Sequence, residues 1–147
     1  MNRKFNSSWR PLAAAMSLAL LVGGAYSAAA FGADIKVTLS GANEVPPVTT
    51  TAAGSGTIMV GMDMSVSGGV TTTGIAATAA HIHEAAAGKN GPVIVPMTKN
   101  GDNGWTIAAG AKLTEAQMAS LKAGNLYVNV HSAANPGGEL RGQLSAP

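Results

Sequence analysis

Apolar and polar residues alternate in short runs along this chain, and a turn signal closes each run. Ile35-Lys36-Val37-Thr38-Leu39 is the cleanest example. A period of two places alternate side chains on opposite faces of a strand, so a chain built from such runs folds as antiparallel sheet. The spacing predicts strands at Ile35 to Leu39, Ser55 to Val60, Met62 to Val66 (joined to the preceding strand near Gly61), Gly74 to His83, Val93 to Val95, Trp105 to Ile107, Tyr127 to Val130 and Glu139 to Leu144. Two prolines bar a central strand at Asn43 to Pro47, which reads as a rigid extended loop. Ala85 to Gly91 is a loop ending in Asn90-Gly91, Asn103-Gly104 is a turn, and Asn135-Pro136-Gly137-Gly138 is another.

One helix interrupts this pattern. Thr114 and Gln117 form a capping box, Leu113 can staple to Met118, Lys122 complements the C-terminal dipole, and Gly124 stands where the helix should stop. The expected fold is all-β: an antiparallel Greek-key β-sandwich or barrel, of the superoxide dismutase-like or immunoglobulin-like kind, with one short inserted helix.

The first thirty residues stand apart from that fold. Arg3, Lys4 and Arg10 form a basic region, Leu12 to Val22 is apolar, and Ala28-Ala29-Ala30 is a small-residue cleavage pattern. Residues 1–30 therefore read as a cleaved signal peptide, with a cut after Ala33 as the second choice. The apolar stretch is short for a membrane span, and an uncleaved anchor is the alternative. Residues 34–147 form a single domain, expected to be periplasmic or secreted with no stable membrane span after cleavage.

Cleavage changes the charge. Six basic and seven acidic groups remain, a net of −1 with histidine neutral, so the pI near 9.2 belongs to the export signal. No basic patch is left to recruit nucleic acid. The chain has no cysteine, which excludes disulfides, thiol catalysis and thiolate metal ligation.

The chemistry lies in three histidines. His81 and His83 are two residues apart on one strand and share a face; His131 ends the run Leu126 to His131 and shares a face with Tyr127 and Asn129. The opposite, aliphatic faces should point to the core, so the imidazoles project outward. If the two strands neighbour each other, three neutral imidazoles meet at one surface point. Such a set suits copper, zinc or nickel, and with an open position it is also the arrangement of a catalytic zinc. Asn129, Glu139 and backbone carbonyls are candidates to orient the rings by hydrogen bonds. Glu84 points to the other face and is not expected to be a ligand. Glu139 and Arg141 share a face of the last strand, where a charged pair reads as a solvated edge. Met62 and Met64 also share a strand face; thioethers favour Cu(I), but the plainer reading is that they fill gaps in the core.

Three segments together resemble the CHRD (chordin) domain: Leu39-Ser40-Gly41-Ala42-Asn43-Glu44-Val45-Pro46-Pro47-Val48, Ala80-His81-Ile82-His83-Glu84 with Gly88-Lys89-Asn90-Gly91-Pro92-Val93, and Tyr127 to Ser132 with Asn135 to Leu144. Bacterial members of that family are typically exported, and animal ones sit within extracellular binding proteins. More loosely, His81-Ile82-His83-Glu84 and Val128-Asn129-Val130-His131 resemble the copper-ligand strands of copper/zinc superoxide dismutases. That likeness implies a solvent-facing copper site of His81, His83 and His131, with Arg141 in the place of the active-site arginine. No histidine remains for a bridging ligand or a zinc site, so a conventional dismutase is not expected.

The sequence therefore suggests an exported metal-binding domain, with copper first and zinc second, in a binding, buffering or modest redox role. The alternative is a structural or protein-binding module with a partner outside the cytoplasm and no metal. A zinc enzyme ranks last, because no proton shuttle stands beside the histidines.

Overall fold

The computed structural model of this protein describes residues 32–146, and its alternating runs are eight antiparallel strands. They are β1 (Ala33–Ser40), β2 (Ala53–Val60), β3 (Val66–Thr73), β4 (Ala77–Glu84), β5 (Val93–Asn100), β6 (Gly104–Ile107), β7 (Leu126–Ser132) and β8 (Leu140–Leu144). Helix α1 (Glu115–Lys122) lies between β6 and β7. The strands close into a barrel in the order β1-β2-β3-β6-β5-β4-β7-β8, and β8 returns to β1 through Ser40 and Arg141. A barrel of eight strands is just wide enough for side chains to fill. Here Leu39, Ile58, Ile82, Val128, Val130 and Leu140 are among those that fill it.

The expected signal peptide and its alternative as an anchor lie outside the described residues. No helix among the described residues is long and apolar enough to cross a membrane.

The helix forms as its caps dictate. The Gln117 amide N–H donates to Thr114 Oγ1 at 3.2 Å, and the Thr114 N–H donates to Gln117 Oε1 at 2.9 Å. Gly124, at φ +75°, ends it in the left-handed conformation that glycine adopts without strain. Leu113 and Leu121 are buried in the barrel core. Ser120 donates to Glu84 Oε1 at 2.6 Å, which ties the helix to the end of β4 and occupies the carboxylate away from the histidines.

Two elements differ from expectation. Met62 to Val66 is a turn, with only Val66 in a strand. Its apolar alternation imitates a strand, but Asp63 Oδ1 accepts hydrogen bonds from both the Ser65 N–H and its hydroxyl. The Gly61 N–H closes the turn on the Ser65 carbonyl at 2.8 Å. Local side-chain bonding of this kind outcompetes a ladder. The segment beginning at Val93 is longer and less buried than expected: β5 runs eight residues, and Val93 is 49 % exposed.

The ladder between β4 and β5 is irregular next to the histidines. Ile82 faces Val95 and His83 faces Val93, so Ile94 is an extra residue. A bulge redirects the side chains beside it. Here it falls where Ile82 turns into the core and His83 is buried on the outside of the barrel.

Candidate metal centre

On the outer face, β4 and β7 place three rings together. In the register between them Ala79 faces His131, His81 faces Asn129 and His83 faces Tyr127. The small side chain of Ala79 leaves room for the two larger rings beside it. The ring centroids of His81 and His131 are 5.0 Å apart, those of His81 and His83 5.6 Å, and those of His83 and His131 5.8 Å. One nitrogen from each ring can be chosen so that all three lie within 4.8 Å of one another. The sequence-predicted set His81, His83 and His131 therefore converges.

Backbone carbonyls fix two of the three rings. His83 Nδ1–H donates to the Gly91 carbonyl at 2.9 Å, and His131 Nδ1–H donates to the Pro136 carbonyl at 3.0 Å. Each of these bonds sets the tautomer and leaves Nε2 with a free lone pair. His83 Nε2 is buried and has no hydrogen-bond partner among the described residues. His131 Nε2 lies 3.1 Å from His81 Nδ1. With His131 Nε2 as acceptor, His81 Nδ1 is the donor. A cation at the centre would replace that bond, and the His81 proton would move to its outer nitrogen. His81 Nδ1 and His131 Nε2 would then both offer lone pairs, with the unpaired Nε2 of His83 as the third donor.

The electrostatics of His81 and His83 disfavour their charged forms. Burial depresses the proton affinity of His81, and the nearby His131 and His83 add to it. For His83 burial again dominates; the bond to Gly91 opposes it, and His131 and Arg141 reinforce it. A ring held neutral is a ring able to ligate.

Behind His83 stands a column of flat groups. Its imidazole stacks on Tyr127, with centroids 5.0 Å apart and planes 15° apart. The Arg141 guanidinium carbon lies 3.5 Å from the centroid of the same Tyr127 ring. Arg141 is 1 % exposed, which corrects the reading of Glu139 and Arg141 as a solvated edge. The reason is a second layer of chain. Arg141 donates to the carbonyls of Lys89 (2.8 Å) and Ala86 (3.0 Å), to Gln143 Oε1 (3.2 Å) and to Asn90 Oδ1 (3.4 Å). None of these acceptors is a carboxylate; the guanidinium holds the 85–91 loop over the barrel. Tyr127 completes the link, because its hydroxyl accepts the Gly91 N–H at 3.1 Å while the Gly91 carbonyl holds His83. Gly91 must be glycine for this approach, since a Cβ there would collide with the Glu84 carbonyl.

The other expected orienting residues do not touch the imidazoles. Asn129 donates to both oxygens of Glu44, at 2.9 and 3.1 Å, and its own Oδ1 is buried without a partner. Glu44 is itself buried, and desolvation raises its pKa against the opposing effects of Asn129 and Arg141. Glu139 accepts from the hydroxyls of Ser132 and Thr50 and from Asn135 Nδ2. Those bonds hold its pKa below the ordinary carboxylate value. It organises the 133–139 loop that supplies the Pro136 carbonyl, so its effect on His131 is indirect. Glu44 and Tyr127 are the residues that the histidine spacing alone does not reveal. A cavity of about 510 Å³ between the 42–47 and 85–91 loops is lined by Glu44, Arg141 and Gln143, among others, and by none of the histidines.

All three sequence motifs meet at this outer layer, and residues 35–144 match the family model of the CHRD domain. The chain belongs to the CHRD domain family. No curated protein and no solved structure matches it. Within this CHRD domain, the first motif contributes Glu44, the middle one His81, His83 and Gly91, and the last one Tyr127, His131 and Arg141. The family pattern and the histidine centre are thus one construction rather than two.

Proposed function

We propose that this CHRD domain is an exported copper-binding domain, with the ion held by His81 Nδ1, His83 Nε2 and His131 Nε2. The observation that carries the reading is the buried, unpartnered Nε2 of His83 in a group of three imidazoles whose ligand nitrogens lie within 4.8 Å of one another. A buried polar atom without a partner costs free energy, and a cation would satisfy it. Three neutral nitrogen donors suit copper and zinc alike. Copper ranks first because His81 and His131 are only half-buried, which leaves the ion open to solvent and to a redox partner. The role is binding or buffering, with modest redox chemistry at most. Neighbouring of β3 with β6 and of β4 with β7 supports the Greek-key reading of the barrel. Export rests on the basic, apolar and small-residue pattern of residues 1–30.

The test is titration of the metal-free protein with Cu(II), Cu(I) and Zn(II), repeated on His83→Ala. Free Cu(II) at about 100 times its Kd should stabilise the fold by about 2.7 kcal/mol, and His83→Ala should abolish this Cu(II) effect. Equal copper affinity in the parent and the variant ends the proposal. A melting temperature insensitive to metal and chelator returns the domain to the reading of a structural or protein-binding module.

A further inference from the structure

A second cluster of soft ligands lies at the turn that the sequence disguised as a strand. A groove of about 540 Å³ runs between the 61–65 turn, the start of β1 and helix α1. Met62 and Met64 line it from the turn, and Met118 lines it from the helix. Met62 and Met64 do not fill gaps in the core as expected: Met62 is 77 % exposed and Met64 is half-buried, while Met118 is half-buried and packs against the edge of the core. Of the other described methionines, Met97 is in the core and Met59 lies outside the groove.

We propose that this groove is a second metal site, which takes a soft monovalent cation, Cu(I), through the thioethers of Met62, Met64 and Met118. Three observations support it. The donor set is purely thioether, and soft sulfur ligands select Cu(I) over hard divalent ions. Among the described residues no carboxylate or imidazole lines the groove, so Zn(II), Mg(II) or Ca(II) would find no side-chain ligand from them there. Met64 also holds a backbone conformation that long side chains avoid, with φ +66°. Its N–H donates to the Gly61 carbonyl at 3.0 Å, and its carbonyl accepts the Leu113 N–H at 2.9 Å, so the conformation is held from both sides. Glycine or asparagine would fit that backbone more cheaply, and the methionine held there lines the groove. Lys122, the one charged residue lining the groove among the described residues, is exposed.

The site is independent of the histidine centre, so two variants separate them. One replaces His81, His83 and His131 with glutamine. The other replaces Met62, Met64 and Met118 with leucine, which conserves volume. Each full-length protein is titrated anaerobically with Cu(I) against a chromogenic chelator, and with Ag(I) as a redox-inert check. The histidine variant should keep one equivalent of Cu(I), with sulfur neighbours in its X-ray absorption spectrum, and should bind no Zn(II). The methionine variant should lose that equivalent and keep its Cu(II) binding. Met62→Leu alone, at a position too exposed to disturb the core, should weaken Cu(I) in the histidine-free background by at least the ~10–100-fold typical of losing a supporting partner. A methionine variant with unchanged Cu(I) stoichiometry and affinity overturns the proposal, as does a histidine variant that binds no Cu(I) or binds it with nitrogen and oxygen neighbours only. Loss of Cu(II) binding in the parent would count against the histidine centre alone.

Discussion

Arg141→Lys tests whether the outer layer supports the histidine centre or merely covers it. The substitution keeps the charge and changes the shape. An ammonium on a shorter reach cannot span the carbonyls of Ala86 and Lys89, Asn90 and Gln143 together, nor lie flat on Tyr127. Losing two of these four hydrogen bonds costs about 1.5 kcal/mol each, because the donor is charged and 1 % exposed. Losing the cation–π contact adds ~1 kcal/mol. The sum is about 4 kcal/mol. A domain of about 115 residues unfolds with an entropy of roughly 0.24 kcal/mol/K, so the melting temperature should fall by roughly 17 °C. The 85–91 loop carries the Gly91 carbonyl that sets the His83 tautomer, so copper affinity should fall with it, by the ~10–100-fold expected when a ligand loses its orienting partner. Calorimetric melts of the metal-free protein and Cu(II) competition titrations read the two effects, with exposed Lys99→Met as control. A variant that melts within about 2 °C of the parent and binds copper equally would show that other contacts hold the loop.

Three further outcomes are expected. Tyr127→Phe keeps the stack but leaves the Gly91 N–H without its acceptor; it should cost about 1 kcal/mol in chemical denaturation and weaken copper severalfold, and an unchanged Kd would remove the hydroxyl from the argument. His81 and His83 bind protons more weakly folded than unfolded, so their contribution to metal-free stability is complete above the unfolded value of 6.5 and is lost as pH falls from there through the depressed folded values; the slope of melting temperature against pH in that window should flatten in His81→Gln/His83→Gln, and an identical slope would refute the assignment. Glu44 has the opposite sign, because its raised pKa means that its charge costs stability as pH rises above 4.5; Glu44→Gln removes that cost and offers an N–H to the orphaned Asn129 Oδ1, so it should stabilise at neutral pH by about 1 kcal/mol, whereas a comparable loss would show that the ionised carboxylate is needed beside Arg141.

The all-β antiparallel architecture was legible because it is written in period two, though that pattern left sandwich and barrel open, and the helix was legible because Thr114, Gln117 and Gly124 are local signals. The three ligand candidates were legible for the same reason: on strands, spacing settles which face a side chain takes. The turn at Met62 to Ser65 was not, since its alternation is genuine and only the Asp63 carboxylate decides against a ladder. The environment of Arg141 was hidden too. An arginine on the outward face of an edge-like segment reads as solvated unless the loops folded over it are known, and loop paths carry no periodicity. The groups that orient His83 and His131 are carbonyls of Gly91 and Pro136, which have no side-chain signature.

That hidden layer explains how a centre on the outside of a barrel can be rigid. A strand packed on one side alternates buried with exposed, yet the burial of β7 is continuous from Leu126 to Val130. Leu126, Val128 and Val130 face the interior, while Tyr127 and Asn129 are covered by the loops that Arg141 and Glu44 anchor. Glycine 138 permits the closest approach, since a Cβ there would collide with Asn129 and Glu44. The two strands fix the positions of the imidazoles and the loops fix their rotation, so neither element alone makes the centre. Weakening the loops should therefore loosen metal binding while the barrel stays folded, whereas weakening the core should remove both together. The ratio of lost affinity to lost stability across loop and core variants then measures how far the outer layer exists to orient the rings.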